Sequence, residues 1–211
     1  MARSRDPFFQ ALARIRDRLQ AGGYAAGGPI VIVEEARRLG VSTTPVREAL
    51  SWLCGEGLVE RGPSGGFLAA HLDAGAVRDR YGFRLICLSA ALDLMAGLPT
   101  YGRTPDRGDA PVPELRRLFE GLVRRTGNAA LMDAYLRVDG QLRQFRDAER
   151  RVFTDIEAEA DRLLAHASAV RNGDLREALR VYHDRRAGAA AIVALDVARQ
   201  QSDGGAGVDR P

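Results

Sequence analysis

The chain has 211 residues, of which 45% are apolar and 28% are charged, so it has the composition of one or two folded domains and not that of a disordered chain. The net charge is +3, and all 31 basic residues are arginine. Residues 1–72 hold nine arginines against seven acidic residues. This balance is only mildly basic, so charge alone does not establish a nucleic-acid partner.

Membrane insertion and secretion find no support in the sequence. No run approaches the about 18–20 apolar residues that a membrane helix requires, and the first residues lack the pattern of a secretory signal. Cys54 and Cys87 fall within helical patterns, where we expect them to pack as small apolar side chains. These features predict a reduced, cytoplasmic protein.

The first predicted domain, residues 7–72, begins with helices. Apolar residues repeat at helical spacing at Phe8, Leu12, Ile15 and Leu19. A short helix over 33–39 follows, and Gly40 ends it. The next helix is predicted to begin with Thr44 as its cap and Pro45 as its first residue, because that position needs no backbone N–H.

Two short strands, 58–61 and 66–70, are predicted after this third helix, with a glycine-rich turn between them. The third helix itself has an apolar stripe formed by Val46, Ala49, Leu50 and Leu53. We expect Trp52 to pack in the core or at a domain interface. The order helix, helix, tight turn, helix and two-stranded wing is typical of a winged helix-turn-helix, whose second motif helix enters the major groove of DNA.

The second predicted domain, residues 77–200, shows helical periodicity throughout and no strand pattern. The segment 97–113 is rich in proline and glycine and is predicted to be a loop. One helix is predicted to run from Val152 to Val170. About five helices of this kind would form a bundle.

The last helix is predicted to begin at Asp174, which has the spacing of a capping box with Glu177, and to continue through Leu195. Residues 201–211 are polar and glycine-rich and are predicted to be a disordered tail. The predicted fold class is therefore mainly α, with an N-terminal winged helix-turn-helix, a two-stranded wing and a C-terminal all-α bundle.

The run 40–50, GVSTTPVREAL, followed by GLVER at 57–61 and the glycine turn, closely resembles the winged helix of GntR-family transcription regulators. More loosely, the second domain is similar to the helical effector domain of the FadR/FCD branch. Arg84 and the pairs Gly127-Asn128 and Gly173-Asp174 fall where that branch has an Arg, a G-N and a G-D. The resemblance implies a homodimeric repressor or activator that binds a double-stranded DNA operator under the control of a small metabolite.

The resemblance implies that the DNA contacts come from the turn, the third helix and the wing, at Ser42, Thr43, Thr44, Arg47, Arg61, Gly65 and Gly66. Arg47 lies opposite the apolar stripe, in the first turns of the helix. The alternative is that Arg47 is a solvated charge, that Ser42 and Thr44 are only helix caps and that the two glycines only form the turn.

Several positions depart from the family. Arginine is common there at the positions of Thr43 and Gly65, and the fatty-acid regulator has one at the position of Val33. Each absent arginine removes a phosphate contact or a guanine contact, the latter worth about 1–3 kcal/mol of discrimination. Glu35 replaces a usual leucine, which is expected to perturb the packing of the short helix. These departures imply weaker DNA binding or a different operator.

The effector domain departs further. Many domains of this branch hold a divalent metal with one Asp and three His, and the resemblance places those positions at Leu115, Phe119, Leu163 and Arg185. None of these residues can ligate a metal, so no metal or other cofactor is predicted. His166 and His183 leave open a rebuilt site. The four replaced positions are predicted to bound a cavity in which Arg84 and Arg185 bind a carboxylate effector of amphiphilic character. Alternatively, apolar residues fill this cavity and both arginines pair with local acids.

No nucleophile, phosphate-loop or paired-carboxylate motif with supporting context occurs, so the chain is not predicted to be an enzyme. The broad Ala/Leu faces at Ala90, Ala91, Leu92, Met95 and 189–195 predict a two-fold dimer and hence a palindromic operator. Two alternatives remain open. The bundle could serve only dimerisation, or the chain could be an interaction protein that kept the fold without binding DNA.

Overall fold

The computed structural model describes residues 6–63, 65–96, 111–168 and 172–205. The chain divides into two compact units. The first comprises the described parts of Met1–Asp73 and Ala194–Pro211 together with Arg143–Phe145, and the second comprises the described parts of Ala74–Leu142 and Arg146–Val193.

The helices of the first unit's N-terminal part are α1 (Pro7–Gln20), α2 (Ile32–Leu39) and α3 (Thr43–Gly55). The carboxylate of Asp6 caps α1 by accepting from the backbone N–H of Phe8 at 2.9 Å. Helices α1 and α3 pack together through their buried stripes, which are Ala11, Leu12, Ile15 and Leu19 on α1 and Val46, Ala49, Leu50 and Leu53 on α3. Removing these side chains from water is the main stabilisation of this unit.

The turn between α2 and α3 depends on Gly40, whose φ of +68° lies in the left-handed region and ends α2. Helix α3 starts two residues earlier than predicted, at Thr43 rather than at Pro45. Ser42 is extended, with ψ 169°, and occupies the N-cap position without a side-chain capping bond. The prediction that Thr44 caps this helix was therefore wrong. Pro45 is tolerated inside the first turn because backbone N–H groups there have no helical partner.

The wing consists of β1 (Val59–Arg61) and β2 (Phe67–Ala69), which pair antiparallel with Val59 opposite Ala69 and Arg61 opposite Phe67. The segment before α2 extends the sheet, since the N–H of Ile30 donates to the carbonyl of Phe67 at 2.8 Å. Val59, Phe67 and Ala69 are buried against the helices. The wing is thus anchored on the same core as the helix-turn-helix.

The second unit contains six helices: α4 (Ala74–Met95), α5 (Pro111–Arg125), α6 (Ala129–Leu142), α7 (Arg146–Val152), α8 (Ile156–Ser168) and α9 (Asn172–Gly188). A final helix, α10 (Ala190–Gly205), begins in this unit and ends in the first. A short 3₁₀ turn, Arg143–Phe145, precedes α7. Helices α4, α5, α6, α8 and α9 pack around one core whose most buried members include Leu88, Ala91, Phe119, Val123, Tyr135 and Leu179.

Several predicted boundaries in this unit were wrong. Pro111 and Pro113 lie in the first turn of α5 rather than in a loop, and the rest of the predicted loop falls outside the described residues. The helix predicted from Val152 to Val170 is interrupted between α7 and α8. The predicted last helix breaks at Ala189. Asp174 lies inside α9, so it does not form the predicted capping box.

The predicted tail is also helical at its start, because α10 continues to Gly205, and its remainder lies outside the described residues. In the part of the chain that is described, no helix combines the length and apolar character needed to cross a membrane. Both cysteines are free thiols. The predicted fold class is confirmed: a winged helix-turn-helix with a two-stranded wing, followed by a bundle of helices.

Candidate nucleic-acid interface and bundle cavity

The solvent-facing side of α3 is polar. Thr44, Arg47, Glu48 and Ser51 are exposed at spacings of three and four residues, opposite the buried stripe that packs on α1. Arg47 makes no hydrogen bond or ion pair within the described residues. Its guanidinium, a planar group with five N–H donors, is therefore available to a base edge or a phosphate.

The start of α3 adds backbone donors to this face. Ser42 is exposed, Thr43 is half-buried, and neither makes a side-chain capping bond to the helix. The first N–H groups of a helix have no internal partner and carry the positive end of the helix dipole. An anion such as a DNA phosphate is favoured at such a position.

The wing presents Arg61, Gly65 and Gly66 to solvent. The Arg61 guanidinium lies over the ring of Phe67, 4.5 Å from its centroid, and donates to the Ser51 hydroxyl at 3.1 Å. Arg61 is thus positioned beside α3. The adjacent Gly65 and Gly66 have φ of +85° and +83°, so the backbone turns tightly there and carries no side chain at these two positions.

An aromatic patch, formed by the half-buried Phe8 and the exposed Phe9 and Trp52, borders this face. Trp52 is 58% exposed, so the expectation that it packs in the core is wrong for this unit taken by itself. Its ring meets Phe8 edge-on at 6.1 Å, and its indole N–H donates to Glu56 at 3.1 Å. The buried stripe of α3 consists of Val46, Ala49, Leu50 and Leu53. Position 52 lies outside this stripe, so the spacing of the apolar residues already indicates that Trp52 faces away from the core.

Glu35 was expected to perturb the packing of α2, because it replaces a usual leucine. It is only 3% exposed, and yet α2 is not disrupted. Its carboxylate accepts from Arg18 and from Arg38, both at 2.5 Å. Two arginines compensate for the burial of one carboxylate, and the helix keeps its place in the core.

The second unit contains a partly open cavity of about 150 Å³. Its lining includes Arg84, Leu115 and Phe119, as predicted by position, together with Val112, Pro113, Arg116, Asp139, Leu142, Arg146, Glu149, Arg150, Ile156 and Tyr182. Leu163 is buried in the same core but does not line this cavity. Arg185 is outside it too, and pairs with Asp155 and, at 3.1 Å, with Glu159.

The placement of Arg185 at the cavity was wrong because of the helical phase of α9. Leu175, Leu179, Tyr182, His183, Arg186 and Ala190 share one buried side of the last two helices, at spacings of three and four residues. Arg186, which is fully buried, was missed. It donates to Glu149 at 3.1 Å and lies over the ring of Tyr182. The periodicity alone identifies position 186, rather than 185, as the inward one.

His183 is buried beside the cavity and has a defined tautomer. Its Nδ1 lies 2.7 Å from the carbonyl of Leu179, to which only an N–H can donate, and its Nε2 accepts from Nε of Arg84 at 3.1 Å. Burial and the positive charge of Arg84 hold the pKa of His183 well below its ordinary value. The imidazole is therefore neutral.

Metal binding has little support among these residues. Within the described ranges, no group of three His, Cys, Asp or Glu side chains is arranged to hold an ion. The Nε2 lone pair of His183 is occupied by Arg84, and Glu149 already accepts from Tyr81 and Arg186. His166 is exposed on α8. The donors present do not fit a divalent cation.

Comparisons with known proteins agree with this architecture. Residues 9–68 match the family model of bacterial regulatory proteins of the gntR family. No curated protein sequence matches the chain.

Among solved structures, the chain is similar to McbR/YncC of E. coli, with a TM-score of 0.62, 17% identity and coverage of 88% of this chain and 97% of that one. It is similar to a GntR transcriptional regulator from Rhodococcus sp. RHA1, with a TM-score of 0.68, 15% identity and coverage of 87% and 96%. These likenesses show a shared fold across both units. The family match separately shows that residues 9–68 form a domain of the gntR family of bacterial regulatory proteins.

Proposed function

We propose that the chain is a homodimeric transcription regulator that reads a palindromic operator with α3 and the wing, and whose bundle binds a small acidic metabolite that modulates DNA binding. Operator binding would take place in the cytoplasm. The observation that carries the DNA-binding part is the exposed Arg47 on the polar face of α3, with the N-terminus of that helix and the wing beside it.

Within this proposal each group has a role. Arg47 reads a base edge in the major groove, where a bidentate arginine contact to guanine is the commonest specific contact. The backbone N–H groups at Ser42 and Thr43 and the hydroxyl of Thr44 bind phosphates. Arg61, Gly65 and Gly66 bring the wing against the DNA backbone.

The test is Arg47→Ala in a band-shift titration with the DNA upstream of the gene that encodes the chain. Specific affinity is expected to fall by about 1–3 kcal/mol, because a base contact is lost. Stability is expected to change by less than about 0.5 kcal/mol, because the side chain is exposed.

Arg14→Ala is the matched control, since Arg14 is an exposed arginine of the same unit on α1. It removes the same charge away from α3, so it should leave specific affinity nearly unchanged. Equal losses for the two variants would show that only net charge matters, and an unchanged affinity for Arg47→Ala would remove α3 as the reading helix.

The second unit also offers a surface for dimerisation. On α4, Phe83, Ile86 and Leu94 are 45%, 62% and 51% exposed and, with Ala90, follow one stripe of the helix. The Ala91 and Leu92 positions expected at the dimer face are instead buried within the unit. An apolar stripe of this kind is suited to an isologous contact with a second copy.

A second candidate is a regulator whose bundle serves dimerisation alone. The small size of the cavity favours it, since ordinary ligand sites measure about 300–1,000 Å³. Thermal stabilisation distinguishes the two, because a ligand at 100 times its Kd adds about 2.7 kcal/mol to stability. If no small organic acid shifts the melting temperature, the dimerisation-only function is favoured.

A further inference from the structure

The face of α3 that is proposed to read DNA carries an acidic side chain as well as a basic one. Glu48 is exposed directly after Arg47, and both lie on the polar face that also holds Thr44 and Ser51. Within the described residues, neither Glu48 nor Arg47 makes a hydrogen bond or an ion pair. Successive residues of a helix project about 100° apart, so these two charges do not pair with each other. Glu48 therefore keeps an unpaired carboxylate beside the proposed guanine contact.

An unpaired carboxylate on such a face is unfavourable unless the DNA supplies a hydrogen-bond donor. Phosphates border the major groove on both sides, and a carboxylate about 6 Å from one of them weakens binding roughly threefold. In the major groove, only the amino groups of cytosine and adenine donate, and adenine presents its N7 acceptor beside the amino group. Guanine and thymine present acceptors, which repel a carboxylate. Cytosine is therefore the base whose edge suits Glu48.

The surroundings of Glu48 strengthen a hydrogen bond made there. A shallow, open groove on this side of α3 is lined by Phe8, Arg47, Glu48, Ser51 and Trp52. The indole N–H of Trp52 donates to Glu56 at 3.1 Å, and Glu56 accepts from Arg16 at 2.6 and 3.0 Å, so the aromatic wall is held in place. An apolar wall excludes water from one side of the carboxylate, and a hydrogen bond is electrostatically stronger where water is excluded.

We infer that Glu48 is a specificity-determining residue, which accepts a hydrogen bond from the N4 amino group of a cytosine close to the guanine that Arg47 contacts. The inference rests on the proposed function, since it takes α3 as the reading helix, and it adds a second base to those that α3 reads. Glu48 also acts against other sequences, because thymine at this position places its O4 acceptor against the carboxylate.

The first experiment selects duplexes from a library with about 20 randomised base pairs, enough for two half-sites one helical turn apart. The full-length parent and Glu48→Gln are compared. Since Glu48 is exposed and has no internal partner among the described residues, the variant is expected to fold. Glutamine pairs bidentately with adenine, so the position that is cytosine for the parent should become adenine for the variant. The guanine assigned to Arg47 should stay unchanged.

Band-shift titrations then measure affinity for the selected duplex, for the same duplex with that cytosine changed to thymine, and for an unrelated duplex. For the parent, the change to thymine should weaken binding at least about fivefold. For Glu48→Gln this difference should largely disappear, because an amide can donate to thymine O4 as well as accept from cytosine N4. The unrelated duplex should bind Glu48→Gln about threefold more tightly, because a charge that repels phosphates is removed.

Asp17→Asn is the matched control, because Asp17 is exposed on α1, on the side opposite the stripe that packs on α3. It removes the same charge and should keep the preference of the parent for cytosine over thymine. Trp52 supplies an independent readout, since it is the single tryptophan and lines the groove with Glu48. Its fluorescence should change when the selected duplex is added.

Three results would overturn the inference: the same selected sequence for the parent and Glu48→Gln, a cytosine preference that Glu48→Gln retains as fully as Asp17→Asn, or Trp52 fluorescence that the selected duplex leaves unchanged. The selection by the parent separates this failure from that of the proposed function. If the parent enriches a sequence that Glu48→Gln also enriches, α3 can still be the reading helix and only the role of Glu48 is wrong. If the parent enriches no sequence, the proposed function itself fails.

Discussion

At the scale of single residues, Glu35 shows how a charged group is tolerated in a small core. Its side chain is 5% exposed, whereas those of its partners Arg18 and Arg38 are 39% and 40% exposed. The carboxylate is desolvated and the guanidinium groups remain partly hydrated, so the pairs contribute less than fully buried ones.

Glu35→Gln should therefore lower the free energy of unfolding by about 1–2 kcal/mol, since charge-assisted hydrogen bonds become neutral ones. Glu35→Leu should remain within about 1 kcal/mol of the parent, because an apolar side chain suits the site and both arginines can turn to water. Urea denaturation measures both variants, with the exposed neighbour Glu34→Gln as the control. A larger loss for the leucine than for the glutamine variant would show that the ion pairs outweigh packing.

His183 makes stability depend on pH in a defined direction. Its pKa is lowered in the folded protein, by burial first and by the charge of Arg84 second. The groups around it are Arg84 from α4, the ring of Phe119 from α5 and its neighbours Tyr182 and Arg186 on α9. As pH falls below the unfolded value of about 6.5, the unfolded chain binds a proton that the folded chain does not, so stability is lost.

We expect His183→Gln to reduce the slope of unfolding free energy against pH between 6.5 and 5.5 by up to about 1.4 kcal/mol per pH unit. Denaturant titrations at several pH values measure this slope. The exposed His166→Gln is the control and should leave the slope as it is. If both variants titrate like the parent, the neutral buried imidazole is refuted.

At the scale of elements, the end of α10 contributes to the first unit through one side chain. Gln201 Oε1 accepts from the N–H of Ala26 at 2.9 Å, and its Nε2 donates to the carbonyl of Tyr24 at 3.2 Å. The amide thereby satisfies two backbone groups of the loop between α1 and α2. This segment was predicted to be a disordered tail, because a polar, glycine-rich composition does not indicate such a contact.

Gln201→Ala should lower the stability of the first unit by about 1–3 kcal/mol, as two hydrogen bonds of about 0.5–1.5 kcal/mol each are lost. Trp52, the single tryptophan, lies in this unit and reports its unfolding by fluorescence. Gln200→Ala is the neighbouring control, because Gln200 is exposed. Equal stability of the two variants would mean that the amide contacts do not hold in solution.

The helices of the first unit were predictable because turn residues and periodicity agree there. Gly40 ends α2 and an apolar stripe defines α3. In the second unit, periodicity predicts a continuous helix where the structure has two. The apolar residues Val152 and Ile156 are four residues apart, as on one helix, although α7 ends at the first and α8 begins at the second. Apolar periodicity shows which side of a helix is buried. It does not reveal a break between two helices when the apolar residues on either side of the break remain at helical spacing.

The cavity was only partly predictable for a related reason. Arg84, Leu115 and Phe119 lie at it, because one side of α4 and of α5 faces the core. Arg116 and Arg146 are half-buried arginines at the edge of their helices. Their approach to Asp139 depends on how three helices pack, which the sequence of each helix does not determine.

At the scale of the whole molecule, the proposed dimer can be tested through α4. Ile86→Asp places a charge on the most exposed apolar residue of the stripe and should weaken association by about 100-fold or more, since about 3 kcal/mol of apolar burial is lost. Light scattering at micromolar concentration should then detect monomers. Leu136→Asp changes an exposed leucine of α6 and is expected to leave the dimer intact. A parent chain that is already monomeric would contradict the proposal.

The glycine pair at the tip of the wing restricts how this regulator can change its operator by mutation. The family that the wing sequence resembles would place an arginine at the position of Gly65, but here φ is +85°, and a side chain at positive φ costs about 1–2 kcal/mol. A new guanine contact of about 1–3 kcal/mol would be largely cancelled by that strain. Substitution of Gly65 by arginine is therefore expected to be close to neutral, and new specificity should arise first on the exposed face of α3, where a side chain can be replaced without altering the backbone.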